Sequence, residues 1–373
     1  MIGWTGTDVL SLVRKKRRRE EEQFKEFGLT GKLRIILNMR FAFLNLLVFV
    51  TTLLGGRAPC LGHAASQPES LSIGYSSFSG HYVPLWIAVE DQLGKKYGLD
   101  LKAVYAGRAR PQQLLMSGEM PFVVATGTGA LTSHVLGVKD QIIVLTFVNR
   151  VPGVIVAKPE IKSGEDLKGK VIGTGRPGAL ADTMVRYVLQ GKMNLMPDRD
   201  VKLLPMGEPA IALQALERGV VDAASFSGPQ VLMAKQKGFR ELINYEKLGI
   251  IYPYNTVTTL RPTVSKKPEV LEKVLKTMIE GIAIFKTNKE KSISVWRKYL
   301  RGASDEILEE SYQSTLGELE RVPLPSLSVI KSGLDVLSLQ YPQAKQTDPS
   351  LIIDPTIVKR IDQSGFIDAL YKK

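Results

Sequence analysis

A short pattern occurs twice in this chain, 101 positions apart. Gln113-Leu114-Leu115-Met116-Ser117-Gly118-Glu119 runs into Phe122-Val123-Val124-Ala125. Gln214-Ala215-Leu216-Glu217-Arg218-Gly219-Val220 runs into Asp222-Ala223-Ala224-Ser225-Phe226. Each copy reads as a helix end, a glycine that stops it, and a short buried strand. Gly118 and Gly219 suit the left-handed position after a helix, where a side chain costs energy. The apolar run behind each glycine fits a strand covered on both faces. Two such units predict two similar lobes, and two lobes predict a gap between them.

The rest of the chain supports this α/β reading. Leu71–Tyr75, Leu101–Tyr105, Phe122–Ala125 and Ile142–Phe147 read as strands, with helical stretches at Tyr82–Tyr97, from Pro111 to Met116, and near Leu131–Leu136. A second round follows, with strands at Val154–Ala157, Val171–Gly173, Val201–Leu204 and Ala223–Phe226. Ser163 with Asp166 reads as a helix cap over a short turn. Ile250–Tyr254 reads as a connection. Beyond Pro268 the apolar spacing is helical, with further helices expected at Ser304–Leu316, Ser326–Leu339 and Thr356–Tyr371. Repeated strand–loop–helix units predict mostly parallel sheets flanked by helices. The expected lobes are 69–152 plus 256–373, and 153–255. Val151-Pro152-Gly153 and Pro253-Tyr254-Asn255 are the expected crossing points, with the last helices packed back on lobe one.

The 373-residue chain carries a net charge of +13, unevenly spread. Residues 1–64 hold 11 Lys/Arg against 5 Asp/Glu, a surplus of +6, which leaves +7 for the remainder. No basic run with interleaved aromatics follows residue 64, so nucleic-acid binding has no support. Cys60 is the only cysteine, and His63, His81 and His134 are the only histidines. This composition gives no disulfide framework, no cysteine-based metal site and no expected cofactor.

Phe41–Leu54 is an uncharged apolar stretch with Arg40 before it and Gly62-His63-Ala64 after it. That is the build of a secretory signal peptide cut after Ala64, in an N-terminal extension covering 1–64. A retained membrane anchor is the alternative, but the stretch is short for a span and Arg57 follows closely. Cys60 raises lipid attachment, which Pro59 disfavours. Arg14–Glu22 is a dense charge run of the kind usually solvated, and Met39-Arg40 would make an ordinary start for the signal.

In open α/β sheets, ligands bind beyond the carboxyl ends of the strands. Four such ends carry small polar or glycine-rich loops: Ser76–Gly80, Thr126–Gly129, Thr174–Gly178 and Ser225–Gly228. Loops entering helices expose free N–H groups beside a positive dipole end, which favours anions. Ser77, Ser79, Thr126, Thr128, Thr174, Ser225 and Ser227 offer hydroxyls. Gly127 and Gly175 offer backbone, and Phe78, Tyr82 and Phe226 offer apolar walls. Arg176 is suited to an oxyanion. His81 is the residue best placed for acid–base work. Gly173–Gly178 fits G-x-G-x-x-G, but Pro177 is rigid where the helix should begin and no acidic partner follows, so a dinucleotide site is not expected.

Several segments together resemble a known family. They are Ser72–Tyr75, Leu85–Ala88, the Ile161–Lys170 turn, Ala215–Ala223 and the ending Ile361–Asp368. They are similar to the periplasmic solute-binding proteins of ABC importers, of the nitrate/sulfonate/taurine type that also includes binders of thiamine-pyrimidine precursors. The resemblance covers roughly residues 70–373. It implies the two-lobed periplasmic binding protein fold (type II), with extra C-terminal helices. It also implies a periplasmic monomer that closes on a small solute by hinge motion and hands it to an ABC permease and its ATPase. The four loops would supply the ligand-binding residues, with none catalytic and no metal. The aromatic residues favour an organic anionic or heterocyclic solute over nitrate. Relatives of this fold include enzymes acting on small metabolites, and a membrane-anchored sensor is a further alternative.

Overall fold

Two five-stranded sheets share one strand order. In the computed structural model, which describes residues 68–107, 111–300 and 302–372, the first sheet runs β2-β1-β3-β10-β4 and the second β7-β6-β8-β5-β9. The first holds β1 (Glu69–Tyr75), β2 (Leu99–Tyr105), β3 (Phe122–Ala125), β4 (Gln141–Arg150) and β10 (Ile251–Leu260). The second holds β5 (Val154–Ala157), β6 (Val171–Gly175), β7 (Lys202–Gly207), β8 (Ala223–Phe226) and β9 (Arg240–Asn244). The repeated sequence pattern occupies the same place in each. Helix α2 (Pro111–Ser117) leads to β3, and α5 (Pro209–Glu217) leads to β8; both strands are third in order. Gly118 and Gly219 take φ of +79° and +71°, as a glycine-stopped helix requires. All of these residues fall in one unit that begins at Ser66. The apolar stretch Phe41–Leu54, Met39, Cys60 and the expected cleavage point lie outside the described residues. Among the described residues no helix is long and apolar enough to cross a membrane.

The sheets are mixed rather than mostly parallel. β1 runs parallel to β2 and β3, while β10 is antiparallel to β3 and β4. Likewise β6 is parallel to β7 and β8, while β5 is antiparallel to β8 and β9. The antiparallel strands are those entered from the other sheet, without the intervening helix that turns a strand parallel. The segment Ile250–Tyr254, expected as a connection, is mostly strand, so the return crossing lies before Ile251. There Tyr245 N–H donates to Gly153 C=O at 3.0 Å, and Val151 N–H to Ile250 C=O at 3.4 Å. Pro253 is tolerated inside β10 because the ladder register breaks between Ile251 and Asn255. Its carbonyl accepts from Gly127 N–H at 2.8 Å.

Strand alternation divides the core. In β5, Ile155 and Ala157 join the large apolar cluster, while Val154 and Val156 join a smaller one with Leu213, Leu216 and Val221. The helix expected over Tyr82–Tyr97 is three pieces: a 3-10 turn Gly80–Tyr82, α1 (Val83–Glu90) and a second 3-10 turn Leu93–Tyr97. Gln92 adopts φ +52° and breaks the run. Val83 to Ala88 are all buried, so α1 is a core helix covered all round rather than amphipathic.

After α3 (Thr128–Val135), α4 (Leu180–Lys192) and α6 (Pro229–Gln236), the chain from Arg261 is helical: α7 (Arg261–Lys266), α8 (Pro268–Thr287), α9 (Lys289–Tyr299), α10 (Asp305–Glu318), α11 (Leu327–Leu337), α12 (Thr356–Gln363) and α13 (Phe366–Leu370). Ser304 and Ser326 cap α10 and α11, each accepting a backbone N–H at 3.3 Å. Helix α8 packs on α1. These end helices also reach the second sheet's layer, with α10 touching α6 and α11 touching α4.

Two carboxylates organise the second sheet. Asp222 accepts from Lys158 Nζ at 2.7 Å and from Val171 N–H at 3.0 Å, joining the edges of β5, β6 and β8. Burial works to raise its pKa, but the lysine and the N–H outweigh that and hold it low. Asp166, rather than Ser163, is the capping side chain of its turn, accepting from Lys162 and Ser163 N–H at 2.9 and 2.8 Å.

Candidate functional site

The end of β1 opens into an aromatic wall. Phe78 lies 4.4 Å from Tyr105, ring centre to ring centre, and 5.8 Å edge-on from Tyr75. Tyr75 meets the edge of Trp86 at 5.8 Å, and Trp86 stacks on Tyr299 at 4.3 Å. Such pairs hold ring orientation beyond what burial alone does. Parallel pairing of β1 with β2 brings Tyr75 beside Tyr105, so both rings stand at strand ends. Ser76 Oγ and Tyr82 Oη lie 2.6 Å apart. Burial pushes the Tyr82 phenol up to about 12, so it stays protonated and can donate. Ser77 is half-buried in the same loop.

Across from this wall stands the end of β6. Arg176 donates to Glu208 Oε1 at 2.7 Å, and the pair is half-exposed. Glu208 also faces Tyr105 of the first sheet. Burial, then the Glu208 carboxylate, pushes that phenol up to about 12. Phe78 and Tyr105 therefore meet Arg176 and Glu208 across one gap. The remainder of this loop is satisfied internally. Thr174 is buried and donates to Gly175 C=O at 3.1 Å. Gly178 N–H donates to Asp182 Oδ2 at 3.2 Å, and Arg186 Nε lies 3.2 Å from both Asp182 oxygens. The α4 N-terminus, expected to attract an anion, already holds the chain's own carboxylate.

A second line of contacts runs through His81. Its ring is 1% exposed. Nδ1 lies 3.4 Å from Ser79 Oγ, and Nε2 bonds the carboxylate of Glu318 at the end of α10. The ring meets Tyr254 edge-on at 4.9 Å, and Tyr254 Oη lies 3.3 Å from Ser227 Oγ. Ser79 and His81 thus connect to Ser227 of the second sheet's β8 loop through Tyr254, which stands on β10 of the first sheet. Ser225 pairs with Tyr245 Oη at 2.8 Å. Phe226 does not line the gap: strand parity turns it into the small apolar cluster. The Thr126–Gly129 loop is stapled to β10. Thr126 donates to Thr128 at 3.3 Å, Thr128 accepts from Tyr252 Oη at 3.0 Å, and Gly127 N–H is taken by Pro253.

His81, Tyr254 and Ser227 thus link the Ser76–Gly80 loop to Ser225–Gly228, Arg176 of Thr174–Gly178 pairs with Glu208, and the Thr126–Gly129 loop is stapled to β10. Sequence reasoning did not name Tyr105, Glu208, Tyr254 or Glu318 among the candidate site residues. The signals available were weak: Tyr105 ends a strand, and Glu208 precedes the proline that opens α5. Among the described residues no group of three or more His, Cys, Asp or Glu is placed to hold a metal.

The family model described as NMT1/THI5 like matches residues 81–292, more than half of the chain. The chain belongs to the NMT1/THI5-like family. No curated protein matches it. Solved structures do. The periplasmic aliphatic sulphonate binding protein SsuA from Escherichia coli is 22% identical with a TM-score of 0.62, covering 78% of this chain and 94% of that one. The alkanesulfonate-binding protein SsuA from Xanthomonas axonopodis pv. citri, bound to MOPS, is 21% identical with a TM-score of 0.62, covering 78% and 99%. The desulfurization enzyme DszB is 15% identical with a TM-score of 0.59, covering 79% and 99%. Likeness at these identities establishes the fold, the α/β two-lobed periplasmic binding protein architecture. Both binding proteins and an enzyme use it, so this NMT1/THI5-like chain must be read from its own site.

Proposed function

We propose that this chain is the solute-binding component of an ABC importer. It would be an exported monomer, cut after Ala64, that closes on a small organic solute and presents it to a membrane permease and its ATPase. The observation that carries the reading is the meeting of strand-end loops from two like-ordered sheets at one gap, through Tyr105 with Glu208 and Tyr254 with Ser227. The lobes, 69–152 with the chain from Ile251 onward, and 153–250, would rotate about the paired crossings near Gly153 and Tyr245, a common route to closure on a ligand. Solute would dock first on the Phe78–Tyr105 wall, with no bond made or broken. The two sulfonate-binding neighbours support a transport role in a chain of this family.

A second reading is favoured by one arrangement. Ser79, His81 and Glu318 stand in a row, and the fold also serves DszB. An enzyme on this site would use His81 as base. Against it, Glu318 occupies Nε2, and Ser79 is buried and 3.4 Å from Nδ1, long for an activated nucleophile.

A thermal-shift panel separates these. A solute at 100 times its Kd should stabilise the chain by about 2.7 kcal/mol without being altered. Turnover of the stabilising compound would favour the enzyme, and no shift with any small anion, amide or heterocycle would count against both.

A further inference from the structure

Asn255 is 1% exposed, yet neither Oδ1 nor Nδ2 has a hydrogen-bond partner. Buried carboxamides are ordinarily satisfied, because an unpaired donor or acceptor forfeits its hydration for nothing. The position is special in three further ways. It lies in β10, where the ladder register shifts on both sides of it. It stands beside the Tyr82 hydroxyl and eases that phenol's pKa downward, without forming a well-aligned bond. That hydroxyl is already engaged by Ser76 of the first gap loop. The preceding residue, Tyr254, is held by Ser227 from the other lobe. The orphaned amide therefore sits on β10 of the first sheet, just after the return crossing and next to the residue that touches the other lobe.

A carboxamide presents a donor and an acceptor side by side in one plane. The group that satisfies both at once is another amide edge, its N–H facing Oδ1 and its C=O facing Nδ2. We propose that Asn255 is a specificity-determining residue of the solute site, and that the solute carries an uncharged lactam or primary-carboxamide edge on a flat ring. This rests on the solute-binding reading above. Opening of the Tyr254–Ser227 contact would uncover the strand, and the Phe78–Tyr105 wall would cover the ring. The side chains expected for an oxyanion and for acid–base work are already partnered, which points the same way. Arg176 is paired with Glu208, and His81 with Glu318. A site built to bond a polar edge strongly rejects analogues that lack it.

Isothermal titration of the full chain with 2-pyridone, benzamide, benzoate and benzenesulfonate tests this, alongside Asn255→Leu. The wild type should bind one or both amides more tightly than either anion. Asn255→Leu should weaken amide binding at least tenfold, while melting at the same temperature or higher, since apolar atoms of similar shape replace unsatisfied ones. A merely structural asparagine would instead lower the melting temperature on substitution. Should Asn255→Leu not fold, Asn255→Ser, which is smaller and lacks the paired edge, should show the same loss. Equal amide affinity in the variant overturns the proposal. Binding of benzenesulfonate or benzoate in preference to both amides overturns the proposal but leaves the solute-binding reading standing. Failure of all four to bind the wild type counts against both.

Discussion

Trp86→Ala should cost about 3–5 kcal/mol of folding stability, the range for emptying a large aromatic site in a packed core. Trp86 is fully buried on α1, stacked on Tyr299 at 4.3 Å and nearly parallel to it, with the edge of Tyr75 at 5.8 Å. The indole ties the end of β1 to α9, so its loss removes the support behind the aromatic wall. Phe78, 6.2 Å from the indole, would lose one of its three neighbouring rings. Urea denaturation followed by circular dichroism measures the loss. Solute affinity should fall as well, because a wall that samples several orientations must be ordered on binding. A loss under about 1 kcal/mol would mean that the neighbours collapse into the space and that the wall does not depend on this residue.

Gly153→Ala should cost about 3 kcal/mol of folding stability. Its φ of +118° lies where side chains are strained, which alone costs roughly 1–3 kcal/mol. A Cβ placed there would stand 2.3 Å from the Phe226 carbonyl oxygen and 3.1 Å from Ser227 Cβ. Relief requires moving backbone at the crossing itself, and the shift would push Ser227 away from Tyr254. Solute affinity and stability should therefore fall together in Gly153→Ala. Wild-type stability in this variant would show that the crossing is loose enough to accept a side chain. The contact between Ser227 and Tyr254 would then not be a fixed feature of the closed lobes.

The repeated helix–glycine–strand pattern was readable because both of its parts are local. A glycine stop and an apolar run need no distant partner to be recognised, and they led directly to β3 and β8 at matching places in their sheets. The strand-end loops were readable for the same reason. Strand direction was less so: β5 and β10 look like any buried strand, and their antiparallel sense comes from the crossing, which leaves no mark on residue type. Ile251–Tyr254 was hidden by Pro253, which breaks a ladder unless its neighbours shift register, as they do here. Phe226 followed from parity. It alternates with Ser225, so one of the two had to face the core, and the larger apolar ring did.

The missing members of the site share a different cause. Glu318 reaches His81 from a helix more than two hundred residues later, and Glu208 meets Tyr105 across the gap. Neither charge is unusual in its own segment, since an acidic residue at a helix end or before a proline reads as solvated surface. The anion slot at Thr174–Gly178 is taken by the chain's own Asp182, in the first turn of α4, which accepts from Gly178 N–H. Asn255 was legible only as part of an expected crossing point, since an asparagine two residues after a proline reads as a turn former, and only its burial without a partner gives it meaning.

Hydrogen–deuterium exchange, with and without the compound that most raises the melting temperature, tests the two-lobed capture most directly. Protection should rise together in the Ser76–Tyr82, Thr174–Gly178 and Ser225–Gly228 segments and along β10, which lie in different lobes. Protection confined to one lobe, or centred on the outer groove of about 400 Å³ lined by Tyr97, Glu269, Glu272, Lys273 and Lys276, would contradict it.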